Sequence, residues 1–195
     1  MIKLRAYVSL LLLALPVTAA ASLFEDSATP CVNATGTTYE AAFSPGGEVS
    51  PLIVKTIATA QKSIRVAGHD FTSKPVSEAL VQAARAGRDL KVVLDKKTNG
   101  HNGYSNATFL RTMSYPPHLM KQGSVYLNYI VIDEKDIIVG NIAGLPDADE
   151  EKKNAVGVLI IHNAPELAKR YLANWQKLWD ASEEIERART QHDPL

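Results

Sequence analysis

The stretch "VYLNYIVIDEKDIIVGNIAG", residues 125–144, sets two apolar runs around an acidic turn, the pattern of a hairpin that carries side chains to one edge of a sheet. The groups it presents are Tyr126, Asn128 and Asp133. Tyrosine can serve as a nucleophile, but with an ordinary pKa near 10 only about one phenol in a thousand is ionised at neutral pH, whereas an imidazole near 6.5 is mostly free base. Tyr126 therefore needs an activating base, and the hairpin supplies none.

The base has to come from one of the histidines. His69, followed by Asp70, falls at the carboxyl end of an apolar strand and is the most interesting titratable residue outside the hairpin. His118, in "PPHLMK", has Lys121 three residues on, a spacing that points the two side chains to opposite faces of a strand. Each also reads as a plain surface or loop histidine. His101, His162 and His192 have no supporting partners in the sequence. No metal site is expected, since there is no H-x-x-x-H and no cysteine pair, and the carboxylates of Asp147–Glu151 read as a solvated loop. No cofactor is expected either.

These groups need a scaffold. Ser50-Pro51 reads as the N-cap and first-turn proline of a helix with Leu52, Ile53, Ile57 and Ala60 on one face. "SIRVAGHDFTS" (63–73) reads as a buried strand and the loop at its end, and Lys74–Ala86 as a helix stopped by Gly87. "DLKVVLD" (89–95) is the next strand, so strand, helix, strand implies a parallel crossover and an α/β sheet. Lys96–His118 is irregular, with a short helix near Asn106–Met113. "AVGVLIIH" (155–162) is another buried strand, and Asn163-x-x-Glu166 reads as a capping box for a last helix whose stripe includes Trp175 and Trp179, both assigned to the core.

Composition sets outer limits. The chain has 195 residues, 46% hydrophobic and 22% charged, which suits one globular domain. Lys3 and Arg5 precede the apolar run Ala6–Val17, and small residues follow at 18–22, so residues 1–21 read as a secretory signal peptide. Residues 22–40 read as a linker, 41–181 as the folded domain and 182–195 as a charged tail. A periplasmic or secreted protein with no transmembrane segment after processing is expected. Cleavage leaves 19 basic against 21 acidic residues, so the totals show no basic footprint for nucleic acid. The one cysteine, Cys31, excludes an intrachain disulfide.

The pieces "FSPGG" (43–47), "HDFTSKPVSEALVQAARAGRDLKVVLDK" (69–96), "YIVIDEKDIIVG" (129–140) and "EKKNAVGVLIIHNAPELAKRYLANWQKLWD" (151–180) together resemble the phospholipase D superfamily, and within it the single-motif secreted nucleases of bacteria, the Nuc-like proteins. The resemblance implies a phospholipase D-like sandwich, a mixed central sheet flanked by helices. It also implies a homodimer in which two H-x-K-x4-D motifs share one metal-independent site: one histidine attacks a phosphodiester, its twin protonates the leaving oxygen, and lysines with a Ser and an Asn of a G-S-x-N segment hold the phosphate.

Carried across, the motif falls on Tyr126-x-Asn128-x4-Asp133, with tyrosine at the nucleophile position and asparagine at the lysine position. Gly140 matches, while Asn141 and Ala143 replace the family's Ser and Asn, and Val156-Gly157 replace its acidic-amide pair. His69 falls where the family's Y-S-F-T segment borders the site. Losing one electrostatic donor typically costs about 10²–10³ in rate. The leading expectation is thus a degenerate site in an exported protein that binds a partner or a phosphate-bearing ligand. The rival is an active phosphodiesterase, on nucleic acid or phospholipid, rearranged around Tyr126, His69 or His118. A third reading is a heterodimer with an intact family member.

Overall fold

The computed structural model describes residues 35–45, 48–70, 72–99, 105–140, 142 and 154–185. The expectations for the leader, Cys31, His101, Asn141, Ala143, Asp147–Glu151 and His192 lie outside these residues.

The chain runs β1 (Thr38–Phe43), α1 (Val49–Ala58), β2 (Ser63–Gly68), α2 (Lys74–Arg85), β3 (Asp89–Leu94), α3 (Lys96–Asn99), α4 (Asn106–Thr112), β4 (His118–Met120), β5 (Tyr129–Ile132), β6 (Asp136–Gly140), β7 (Gly157–His162), α5 (Pro165–Asp180) and β8 (Ser182–Glu184). The strands form one sheet in the order β1-β7-β6-β5-β2-β3-β4-β8. β2, β3 and β4 are parallel, as the crossover through α2 requires, and every other pairing is antiparallel. The sheet is therefore mixed, as expected.

Both faces of the central strands are covered, which is why β5 reads YIVI with all four residues buried. On one face Ile53 and Ile57 of α1, Val76 and Leu80 of α2, and Leu110 of α4 pack on Ile64, Val66, Leu94, Ile130, Ile132 and Ile138. On the other, Ala168 and Trp175 of α5 pack on Ala67, Val93, Val131 and Ile137. Trp175 is 3% exposed, and its indole N–H donates to the Val66 carbonyl at 2.9 Å. Arg65 lies over the same ring at 5.4 Å. Trp175 is a core residue, and Trp179, partly buried, packs against that core and stacks on Trp175 with centroids 5.0 Å apart.

Several boundaries move from where the sequence put them. β1 begins at Thr38, so the last residues of the presumed linker are a sheet edge paired with β7. Ser182–Glu184, expected as the start of a frayed tail, add a strand to β4. α1 starts at Val49 with Glu48 at its N-cap, leaving Ser50 buried inside the first turn. The capping box expected at the start of α5 does not form: Asn163 is left-handed with φ 54°, its N–H donates to Asp136 Oδ1, and Ala164 is the N-cap ahead of Pro165. The strand of the motif hairpin begins at Tyr129 rather than Val125, so Tyr126 and Asn128 lie in the approach to the sheet.

Candidate functional site

The candidate site lies where β2 ends and β5 begins, at the middle of the sheet. β2 is antiparallel to β5, with Ala67 opposite Tyr129, so the residue after β2 comes to lie against the residues before β5. That apposition joins His69 to the 125–128 segment. The His69 N–H donates to Asn128 Oδ1 at 3.0 Å, and His69 Nδ1 is 2.7 Å from the Val125 carbonyl oxygen. The His69 and Tyr126 rings lie 5.0 Å apart, inclined at 30°.

Both contacts fix chemistry. A carbonyl only accepts, so Nδ1 carries the proton and the neutral ring keeps its lone pair at Nε2. Asn128 uses its oxygen on the His69 main chain, which leaves its NH₂ as the end able to donate to a ligand. Tyr126 is 76% exposed and Leu127 45%, so the hairpin approach offers an open aromatic and apolar lip beside the half-buried imidazole.

A fully buried carboxylate holds this arrangement together. Asp95, at the carboxyl end of β3, accepts the Val125 N–H on Oδ2 at 2.9 Å and the Lys97 and Thr98 amides on Oδ1 at 2.8 and 3.1 Å. Burial works against its charge, but those amides together with the Ser124 side chain outweigh it and hold its pKa below the ordinary carboxylate value. From the same turn, Thr98 Oγ1 and Asn99 Nδ2 donate to the His69 carbonyl. His69 is thus gripped at its amide, its carbonyl and its ring. Sequence reasoning missed Asp95; the signal was an aspartate between a strand and K-K-T-N, the position from which a side chain caps a short helix.

The other candidates fall elsewhere. Asp133 lies in the β5–β6 turn, where it and Glu134 have φ 50° and 60°. Its carboxylate accepts the amides of Gln61, Lys62 and Ser63 at 2.8, 2.7 and 3.0 Å, at the opposite end of β2 from His69. At about 3.3 Å per residue that is roughly 20 Å away. Burial again opposes its charge, and the three amides with nearby Lys135 overcome it and lower the pKa. His118, on β4, stacks on Trp179 with centroids 3.5 Å apart and bonds Ser182 Oγ through Nδ1 at 3.1 Å. Burial depresses its pKa; Glu184 raises it, while Lys91 and Lys121 add to the depression. The structure therefore brings together Tyr126, Asn128 and His69 and places Asp133 and His118 outside that group.

Of Val156 and Gly157, expected at the positions of the family's acidic-amide pair, Gly157 is the first residue of β7, beside β1, and Val156 precedes it. A side chain at Gly157 would meet the Phe43 ring at 2.9 Å, and Phe43 is 69% exposed. Among the described residues no cluster of His, Cys, Asp and Glu is placed to hold a metal ion, and no helix is long and apolar enough to cross a membrane.

A mixed sheet between two helical layers, with a hairpin entering at its centre, defines an α/β sandwich. The family model "Cardiolipin synthase, PLD-like domain" matches residues 53–193, and the chain belongs to the phospholipase D superfamily, with Nuc-like architecture. It is 31% identical over 134 residues to a phospholipase D of Rickettsia bellii, covering 68% of this chain and 65% of that one. It spans, that is, about two thirds of that relative's length. Among solved structures, Nuc from Salmonella typhimurium superposes with TM-score 0.70 and 24% identity over 77% of this chain and 99% of that one. NucT from Helicobacter pylori superposes with TM-score 0.65 and 18% identity, over 76% and 99% respectively.

Proposed function

We propose that this chain is an exported phospholipase D-like protein whose phosphodiesterase site is degenerate and impaired at positions 126 and 128, and which acts by binding a phosphate-bearing ligand or a partner. The observation that carries this reading is Asn128. Where the family's lysine would aim a positive charge at the phosphate, this chain places a neutral amide whose oxygen is spent on the His69 main chain. What remains is one NH₂ donor, a phenol and an imidazole, enough to recognise a phosphodiester and poor at stabilising the charge of its transition state. Export rests on the leader read at residues 1–21. Homodimerisation about the site is part of the proposal, and the exposed Tyr126 and Leu127 at its lip give a second copy an apolar surface to cover.

The test compares the purified protein with a family member carrying the intact H-x-K motif, on an activated phosphodiester in EDTA. We expect hydrolysis slower by at least about 10²-fold. Binding of dimethyl phosphate, followed by phosphorus NMR, is expected to persist and to weaken in Asn128→Asp, which adds a negative charge. Turnover equal to the intact relative, or binding indifferent to Asn128→Asp, would sink the reading.

A further inference from the structure

Loss of the motif histidine does not leave the site without an imidazole. Among the described residues, His69 is the histidine in contact with Val125, Tyr126 and Asn128. His118 is stacked under Trp179, and His162 sits at the far end of β7 with Glu40 at 3.5 Å and Asp136 at 3.9 Å. The ring of His69 is held in one tautomer by the Val125 carbonyl, which is itself positioned by Asp95. This arrangement suits a general base: a lone pair left at Nε2 by the tautomer, an N–H at Nδ1 anchored to a fixed acceptor, and the Tyr126 ring alongside. Sequence reasoning found a phenol at position 126 lacking a base. The fold supplies an imidazole from a different strand, 5.0 Å away ring to ring.

We propose that His69 is the general base of a slow hydrolysis carried out within one chain on a phosphodiester held at Tyr126 and Asn128. This rests on the proposed binding of a phosphodiester there. His69 Nε2 takes a proton from a water molecule as the water oxygen bonds to phosphorus. The P–O bond to the leaving group breaks, the leaving oxygen takes a proton from the Tyr126 hydroxyl, and the phenolate recovers one from the imidazolium. One diester and one water become one monoester and one alcohol, with no covalent enzyme intermediate. Asn128 Nδ2 donates to a phosphate oxygen throughout.

The experiment uses the mature protein in EDTA with bis(p-nitrophenyl) phosphate as substrate, and dimethyl phosphate as the binding probe. His69→Gln keeps an N–H for the Val125 carbonyl and removes the base. It is expected to lose about 10²-fold or more of the hydrolysis, a loss far larger than any weakening of dimethyl phosphate binding. His69→Ala is expected to regain hydrolysis when imidazole is added to the buffer. Hydrolysis by His69→Gln at the parent rate overturns the inference, as does a parent that binds dimethyl phosphate without turning over the aryl diester; in both cases the proposed function stands. A parent that fails to bind dimethyl phosphate overturns both.

Discussion

Asp95 does at one residue what the rest of the site depends on. Its two oxygens take three main-chain N–H groups, one of them from Val125, whose carbonyl fixes the His69 ring. Asparagine in its place keeps one acceptor oxygen and turns an NH₂ toward an amide that needs an acceptor. Asp95→Asn should cost about 1–3 kcal/mol of stability, read as a lower urea midpoint, and should shift the His69 ring proton resonances. An unchanged midpoint would refute that role. Tyr126 and Asn128 could be singled out in the sequence because their positions are read by offset from Asp133 and Gly140. Asp95 was not, because a carboxylate after a strand is common and its decisive partner lies 30 residues downstream. The pairing of His69 with Tyr126 was equally hidden, since it depends on the antiparallel register of β2 and β5.

At the scale of elements, two glycines separate backbone strain from crowding. Gly87, which ends α2, has φ 88° with nothing within 4 Å of where a Cβ would stand. Gly140, which ends β6, has φ 132°, and a Cβ there would come within 2.4 Å of the Gly157 carbonyl oxygen on β7. Gly87→Ala should cost about 1–2 kcal/mol, the left-handed penalty alone. Gly140→Ala carries its own backbone strain and forces β6 and β7 apart as well, so its loss should be the larger; equal urea midpoints for the two variants would contradict this. The long elements were legible because their periodicities run for many residues. β4 and β8, three residues each, were not, being too short to show a period. The expected capping box failed for a tertiary reason: the Asn163 N–H is taken by Asp136 on β6, which turns the chain left-handed before α5 can use it as a cap.

For the whole molecule, three titrating groups among the described residues bear on the acid limb of stability. Asp95 and Asp133 have folded pKa values below the ordinary one, so their contribution is complete above about pH 4 and is lost as pH falls through the folded values. His118 has the opposite chemistry with the same outcome. Its folded pKa is depressed, so the unfolded chain binds the proton more readily, and stability declines as pH drops below about 6.5. Urea midpoints measured from pH 8 to about 2.5 should therefore begin to fall near pH 6.5, and His118→Gln should remove that first decline while leaving the loss below about pH 4. A decline that survives His118→Gln would assign it to another group.

The position of Asp133 divides the three specified residues of H-x-K-x4-D into two inheritances. Its aspartate answers to the turn and to three amides at the base of β2, so a descendant can abandon the reaction and still be obliged to keep that letter. A sequence screen that scores the aspartate as a sign of activity counts folding, not chemistry, and Asp133→Asn should be felt in the yield of folded protein before it is felt in any assay of the site.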